Sequence, residues 1–230
     1  MVLHTGVEDL QLDFDFMKRS LPLYYEAMCL TLQLAGLSIV CSLFVGLILS
    51  IALHFKWKGI SLIIQAYIEL SRNTPLLVQL YFLYYGLPKI GLPLSEMSCA
   101  IIGLTFLGGS YMTEAFRSGF ESVGRIQLES GLSIGLSRAQ LIRHVILPQA
   151  FSTSIPSLSA NAIFLLKETS IVGAISLMDL MNVAKDLIGM EYKSTEALLL
   201  LVLAYLILLL PLSMGLTWLE RRIRFAEFGR

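Results

Sequence analysis

Several charged side chains stand where an apolar chain can least accommodate them. Arg72, Glu114, Arg117, Lys167 and Glu168 all fall inside or at the edge of long apolar stretches. In hydrocarbon such groups are expensive, so they face a cavity, a partner charge or a polar ligand. Glu114 and Arg117 are three residues apart, the spacing of an ion pair on one helix. Lys167 and Glu168 are adjacent and point apart on a helix, so they cannot both face lipid. One reading puts Glu168 on a central pathway, where its carboxylate meets a cationic group on a ligand, with Asn161 two turns earlier assisting. Glu114 and Ser170 are further candidates for that pathway. The other reading lets Lys167 snorkel to the surface while Glu168 pairs across a subunit interface. Ser157 and Ser159 either donate to the same cavity or bridge helices.

A second polar constellation is ESGLSIGLSRAQLIRHVILPQA, residues 129–150, set between two apolar regions. Glu129 is expected at the start of a helical turn, where the dipole favours a carboxylate. Gly135 permits the left-handed backbone that would end this short helix. Arg138, Arg143 and His144 fit a second, amphipathic helix, and Pro148 suits the first turn of the next one. The expected shape is helix, bend, helix: a knob for a soluble partner, or else a solvated loop with none.

These groups need a membrane scaffold to hold them. The 230 residues are 56% hydrophobic and only 15% charged, with a mean hydropathy of +0.73; soluble domains are about 25% charged. The zero net charge argues against nucleic acid. Cys29, Cys41 and Cys99 lie in apolar stretches and read as small hydrophobes. His4, His54 and His144 have no metal-ligand spacing, and no phosphate-binding Gly-x-x-x-x-Gly-Lys-Ser/Thr occurs. The first twenty residues lack the basic-then-apolar order of a signal peptide. The expected spans are Tyr24–His54, a region from Gly59 to Pro88 broken at 71–75, Leu94–Phe116, a bent span from Val145, and Ala197–Leu219. Thr74 is the expected N-cap and Pro75 the first residue of the helix after the break. Pro148, Pro156 and Gly173 would bend the fourth span, with an amphipathic piece following it to Met181 and a polar connection at Leu187–Thr195. Gly108-Gly109-Ser110 would allow close packing, and Pro211 would kink the last span. Of the Lys and Arg residues outside the spans, ten lie on the side of the Glu129 loop and five on the other. That asymmetry puts the loop and C-terminus in the cytoplasm and the N-terminus outside.

Glu129-Ser130-Gly131, Gly135 and Val145-x-Leu147-Pro148 resemble the EAA loop of permease subunits in ABC importers. Arg72-Asn73-Thr74-Pro75-Leu76-Leu77-Val78-Gln79-Leu80 followed by Tyr84-Tyr85-Gly86-Leu87-Pro88 resembles the RGTPLLVQL…YFGLP segment of the histidine, glutamine and arginine type of permease. Residues 111–119, 146–150 and 166–170 are similar to the same family's AYxAExxRGG, VILPQA and LKDTS. Asn73 departs from the usual Gly, and Ser130-Gly131 from Ala-Ala. The resemblance implies an all-α integral membrane protein of the type I ABC importer permease fold. Five transmembrane helices, an N-terminus outside and a cytoplasmic C-terminus are expected. An extracytoplasmic segment (1–20) would precede the transmembrane domain (21–219), whose coupling loop is 120–147, and a tail (220–230) would follow. Glu129, Ser130, Gly131, Ser133, Gly135, Leu147 and Pro148 would seat the ATPase. The implied partners are a cytoplasmic ATPase homodimer, a second permease (identical or paralogous), an extracytoplasmic binding protein, membrane lipid and an amino acid. The chain itself would hold no cofactor, ATP and Mg being bound by the ATPase. The location is a bacterial cell (inner) membrane, multi-pass. The rivals are a self-sufficient ion-coupled transporter and an intramembrane enzyme using Glu114 or Glu168 as an acid, for which no nucleophile or metal set is evident.

Overall fold

A computed structural model describes residues 12–54 and 59–228, all of it helix and connection. The expected basic turn at Lys56-Trp57-Lys58 lies outside the described residues, as do His4 and Arg230. Helix α1 spans Phe14–His54, ten residues longer at its start than hydropathy suggests. Asp13 explains the difference: its carboxylate accepts the Phe16 N–H at 2.9 Å and so caps a helix that begins in polar sequence. Helices α2 (Ile60–Arg72) and α3 (Leu76–Tyr81) occupy the region expected to form the second, broken span. Helix α4 is Glu96–Ser122 and α5 is Arg125–Ser133. Helix α6, Arg138–Leu141, continues through a π-helical turn at Ile142–Ile146 into α7, Leu147–Glu168. A 3-10 turn at Thr169–Ile175 leads to α8, Leu180–Glu191, and then α9, Ser194–Phe228.

Among the described residues, four helical stretches are long and apolar enough to cross a membrane: α1, α4, the run 139–175, and α9. The fifth expected span is the α2–α3 pair, neither member of which reaches across alone. The new helix after the break starts one residue later than expected. Pro75, at φ −61° and ψ 138°, is the N-cap, while the Thr74 hydroxyl turns back to donate to the Leu70 carbonyl. Gln79 closes the break by donating to the carbonyls of Ser71 and Thr74. Backbone left open at membrane depth requires such partners.

Two further expectations are corrected. The polar connection at 187–195 is largely the second half of α8, leaving only Tyr192 and Lys193 between helices. Pro148 does not open a separate helix, because residues 138–168 form one continuous run. Its missing N–H is instead absorbed by the π turn, which ends two residues before it. The same arrangement recurs at Phe82–Gly86 before Pro88.

The core lies between α1, α4 and α7, around Leu34, Leu104, Met112 and Leu165. The buried stripe of α1 includes Thr31, Ser38, Ser42, Gly46 and Ser50, small residues that bring α4 close. A Cβ at Gly46 would sit 2.8 Å from the backbone carbonyl carbon of Met112, and one at Gly109 would sit 2.7 Å from the Tyr67 hydroxyl. Helix α2 is bound to α4 by polar contacts, since both Tyr67 and Ser71 donate to the Phe106 carbonyl at 2.7 and 2.9 Å. At the other end, Asp13 reaches Lys193 and Glu196, tying the starts of α1 and α9 together. The two helices therefore run parallel, and the start of α1 and the end of α9 lie at opposite ends of the bundle.

Candidate functional site: a polar cleft and a docking loop

Three helices bring polar or charged side chains to one face. Arg72 ends α2, Tyr111 and Glu114 project from α4, and Ser157 and Asn161 from α7; together they line a cleft of about 420 Å³. A second cavity of about 640 Å³ adjoins it, sharing Arg72, Glu114, Arg117 and Glu121 and adding Glu69. Arg72 and Ser157 are exposed, and Glu114 and Asn161 half-buried. Tyr111 and Asn161 lie within helical stretches long and apolar enough to cross a membrane, and Arg72 stacks against Tyr111. A face this polar on such helices is costly to cover with lipid tails.

The expected Glu114–Arg117 pair is present and bidentate, with Nη2 2.6 Å from Oε2 and Nε 3.1 Å from Oε1. Arg117 also reaches Glu121 at 3.1 Å. Asn161 donates through Nδ2 to the Tyr111 carbonyl at 3.2 Å, and the Arg72 guanidinium carbon lies 4.9 Å from the centroid of the Tyr111 ring. Asn73 donates to the Glu69 carboxylate at 2.9 Å. Of the pathway candidates, then, Asn161 and Glu114 share the cleft. Glu168 and Ser170 do not line it; they lie seven and nine residues further along, at the α7 end and in the 3-10 turn. Lys167 faces outward and Glu168 is half-buried. Sequence reading missed the convergence of Arg72 and Tyr111 on Asn161, which only the packing of three separate helices brings about.

The loop forms the second site. Glu129 is the fifth residue of α5, not its first, so the dipole does not favour it as expected; its carboxylate is exposed at mid-helix. Gly135 ends α5 as expected, at φ +89°. The Gly135 N–H bonds the Leu132 carbonyl and the Leu136 N–H bonds the Gly131 carbonyl, both at 3.0 Å, the paired bonds of a Schellman cap. Ser133 donates to the Glu129 carbonyl and Ser130 is exposed. Gly131 is buried beneath Leu141, whose side chain would touch any Cβ there. A capping box that the sequence reading passed over opens α6. The Ser137 N–H donates to Gln140 Oε1 at 2.9 Å, and the Gln140 N–H to Ser137 Oγ at 3.3 Å. Its signal, Ser-x-x-Gln, is visible in the sequence. Ile126 and Ile134 are 77% and 79% exposed, which leaves an apolar surface beside Glu129 on an otherwise polar segment. Leu147 and Pro148 are exposed at the start of α7, beyond the knob formed by α5 and α6.

The sequence matches the family described as "Binding-protein-dependent transport system inner membrane component" over residues 27–225. A probable amino-acid ABC transporter permease protein of Vibrio harveyi is 34% identical over 93% of this chain and 97% of its own length. A probable glutamine ABC transporter permease protein of Bacillus subtilis (strain 168) is 31% identical over 87% and 93%. A solved structure titled "Crystal structure of an amino acid ABC transporter with histidines" superposes with a TM-score of 0.86 at 31% identity, covering 93% of this chain and all of that one. The chain therefore belongs to the family of inner membrane components of binding-protein-dependent transport systems.

Proposed function

We propose that this chain is the membrane-spanning subunit through which a polar or charged amino acid crosses the bilayer, driven by a separate ATPase. The carrying observation is the polar face shared by α2, α4 and α7, exposed in the single chain. A second permease, identical or paralogous, would meet that face and enclose a pathway with it. Asn161 and Glu114 would line the pathway, with Glu168 and Ser170 nearer its far end. The relatives named for amino acids and glutamine support this substrate class. An extracytoplasmic binding protein would deliver the amino acid.

The ATPase dimer, holding ATP and Mg, would grip the α5 knob through Glu129, Ser130, Ser133 and the exposed Ile126 and Ile134, with Gly131 and Gly135 setting its shape and Leu147 and Pro148 behind it. Arg117, Arg143, Arg221 and Arg222 all stand at that end of the bundle, while Lys18, Arg19, Lys89, Lys185 and Lys193 stand at the other. This charge distribution supports a cytoplasmic knob and C-terminus and an N-terminus outside. With the permease expressed alone, a cysteine replacing Lys89 should react with an impermeant thiol reagent from outside, and one replacing Ile134 should not.

The decisive test is uptake by the reconstituted complex with its ATPase and binding protein. ATP inside the vesicles should drive import of glutamine, arginine or histidine. Import driven by an ion gradient without ATP would instead return the ion-coupled rival.

A further inference from the structure

We propose that the groove between α1 and α9 binds a phospholipid of the cytoplasmic leaflet, with one acyl chain in the groove and an anionic headgroup at its mouth. The inference takes two things from the reading above: a second permease covers the polar cleft, and the knob is cytoplasmic. Near their starts α1 and α9 pack together through Tyr24, Ala27, Leu200 and Ala204. Further along, side chains from residues 39–47 of α1 and 216–223 of α9 line a cavity of about 430 Å³. Its floor is the buried Met112 and Phe116 of α4 and Ile155 and Leu158 of α7. Among the described residues lining it, Ser159 alone is polar. An occupant of this groove is therefore held by apolar contact along nearly its whole length.

The dimensions and the outlook of the groove select a lipid chain. At 1.5 Å per residue the lining segments 39–47, 151–162 and 216–223 run about 12, 17 and 11 Å. One leaflet is half of a hydrocarbon layer of about 30 Å, so the groove has the depth of a leaflet and not of a membrane. All three segments lie towards the end of the bundle that carries the knob. The groove also turns its back on the cleft. Tyr111 and Glu114 of α4 and Ser157 and Asn161 of α7 line the cleft, whereas Met112, Phe116, Ile155 and Leu158 line the groove. At about 100° per residue these sets fall on different faces of both helices. A second permease closing the cleft therefore leaves the groove open to lipid.

The mouth supplies the charge. Trp218 and Arg222 are exposed one turn apart on α9, beside Leu219 and Ile223, with the guanidinium carbon 5.1 Å from the centroid of the indole. An aromatic ring and a basic group at this level mark a headgroup zone. Stacking on Trp218 engages one face of the guanidinium and leaves its in-plane N–H fork for a phosphate. Arg221 on α9 and Arg143 ahead of α7 are also exposed, and Glu220 is half-buried. The balance at the mouth is thus positive, which favours an anionic headgroup over a zwitterionic one.

The test places the assembled complex of both permeases and the ATPase in phosphatidylcholine nanodiscs doped with phosphatidylglycerol that carries a mid-chain diazirine. Cross-links mapped by mass spectrometry should concentrate in residues 39–47, 151–162 and 216–223. Their yield should be several-fold that at Leu62, which is more exposed than any groove residue. Unlabelled phosphatidylglycerol should displace this label about fivefold better than phosphatidylcholine of the same chains, the scale set by one basic side chain at a membrane surface. Arg222→Gln should remove that preference, and Val40→Trp, which fills the groove from its exposed wall, should cut the groove label and spare Leu62. Labelling that simply follows exposure overturns the site, as does a groove label unchanged by Val40→Trp. Equal displacement by both lipids, or a preference that survives Arg222→Gln, overturns the headgroup assignment. A groove labelled in the singly expressed permease but not in the complex is covered by the second permease, which also overturns the proposal. ATP-driven uptake is scored separately, so groove labelling without uptake sinks the transport reading alone, and uptake without groove labelling sinks the lipid site alone.

Discussion

Asp13 and Lys193 meet at 3.2 Å, and through that contact the start of α1 is held against the start of α9. The Asp13 carboxylate also caps Phe16. That backbone N–H bond first, and Lys193 second, hold its pKa below the ordinary 3.8. A depressed carboxylate contributes stability that is present above the unfolded-state pKa and is lost as pH falls through the folded-state value. Acidification below pH 3.8 should therefore loosen the first turns of α1. Asp13→Asn should produce the same loosening at neutral pH, read as faster amide exchange over residues 14–20 with the rest of α1 unaffected.

Asp179 has the opposite sign. It is fully buried and caps α8 by accepting the N–H groups of Met181 and Asn182. Burial pushes its pKa up to about 6, against those two bonds. The fold therefore favours the protonated acid, and stability should decline as pH rises from about 3.8 to about 6, then level off. Asn caps nearly as well as Asp without the buried charge. Asp179→Asn should raise the melting temperature at pH 7.5, by about 1–3 kcal/mol equivalent, and leave it unchanged at pH 4. Equal effects at both pH values would refute the account.

At the knob, the backbone rather than the space forbids substitution at Gly135. Its φ is +89° with nothing within 4 Å of a built Cβ, so a side chain would strain the turn by about 1–2 kcal/mol. Gly135→Asp adds a charge as well, and should abolish ATP-driven uptake while the chain still inserts. Gly131→Ala should be mild, because the atom it meets is the flexible end of Leu141 and Ala favours helix by roughly 1 kcal/mol. Ser137→Ala removes half of the capping box and should cost about 1 kcal/mol, seen as earlier proteolysis near residues 134–138.

The contact of α1 with α4 gives a packing test. Gly46→Leu has no room against the Met112 backbone and should destabilise the detergent-solubilised protein by about 1–3 kcal/mol. Gly36→Ala on the same helix meets nothing within 4 Å and should stabilise slightly, by up to roughly 1 kcal/mol, in the same thermal assay.

Local chemistry was legible in the sequence; convergence was not. The break at 71–75, the Gly108-Gly109 contact, the Glu114–Arg117 pair and the positive φ of Gly135 each follow from residues within a few positions of one another. The start of α1 was misplaced because hydropathy registers apolar runs, whereas Asp13 caps from polar sequence with help from Lys193 and Glu196, far along the chain. The sequence points to Glu129 as the helix start because nothing marks Gly124, the N-cap of α5, which has no side chain and makes no side-chain capping bond. The α8 boundaries were blurred by its amphipathic composition. Asn161 and Glu114 are legible as pathway candidates, but their meeting with Arg72 and Tyr111 in one cleft is not, since these residues come from three helices.

The unbroken helical run from Arg138 to Glu168 also has a mechanical meaning. One end carries the capping box of the knob, and Asn161 stands 23 residues away, about 35 Å along the axis. A helix is stiff along its length, so a push or tilt delivered at Ser137 arrives at the cleft as motion of the same rod, with no loop between to dissipate it. The π turn at 142–146 is a widened turn in that rod. Below that turn the segment would follow whatever docks against it, and above it the segment would carry Asn161 with it. Knob and cleft would then move as two ends of a single lever whose fulcrum lies just before Pro148.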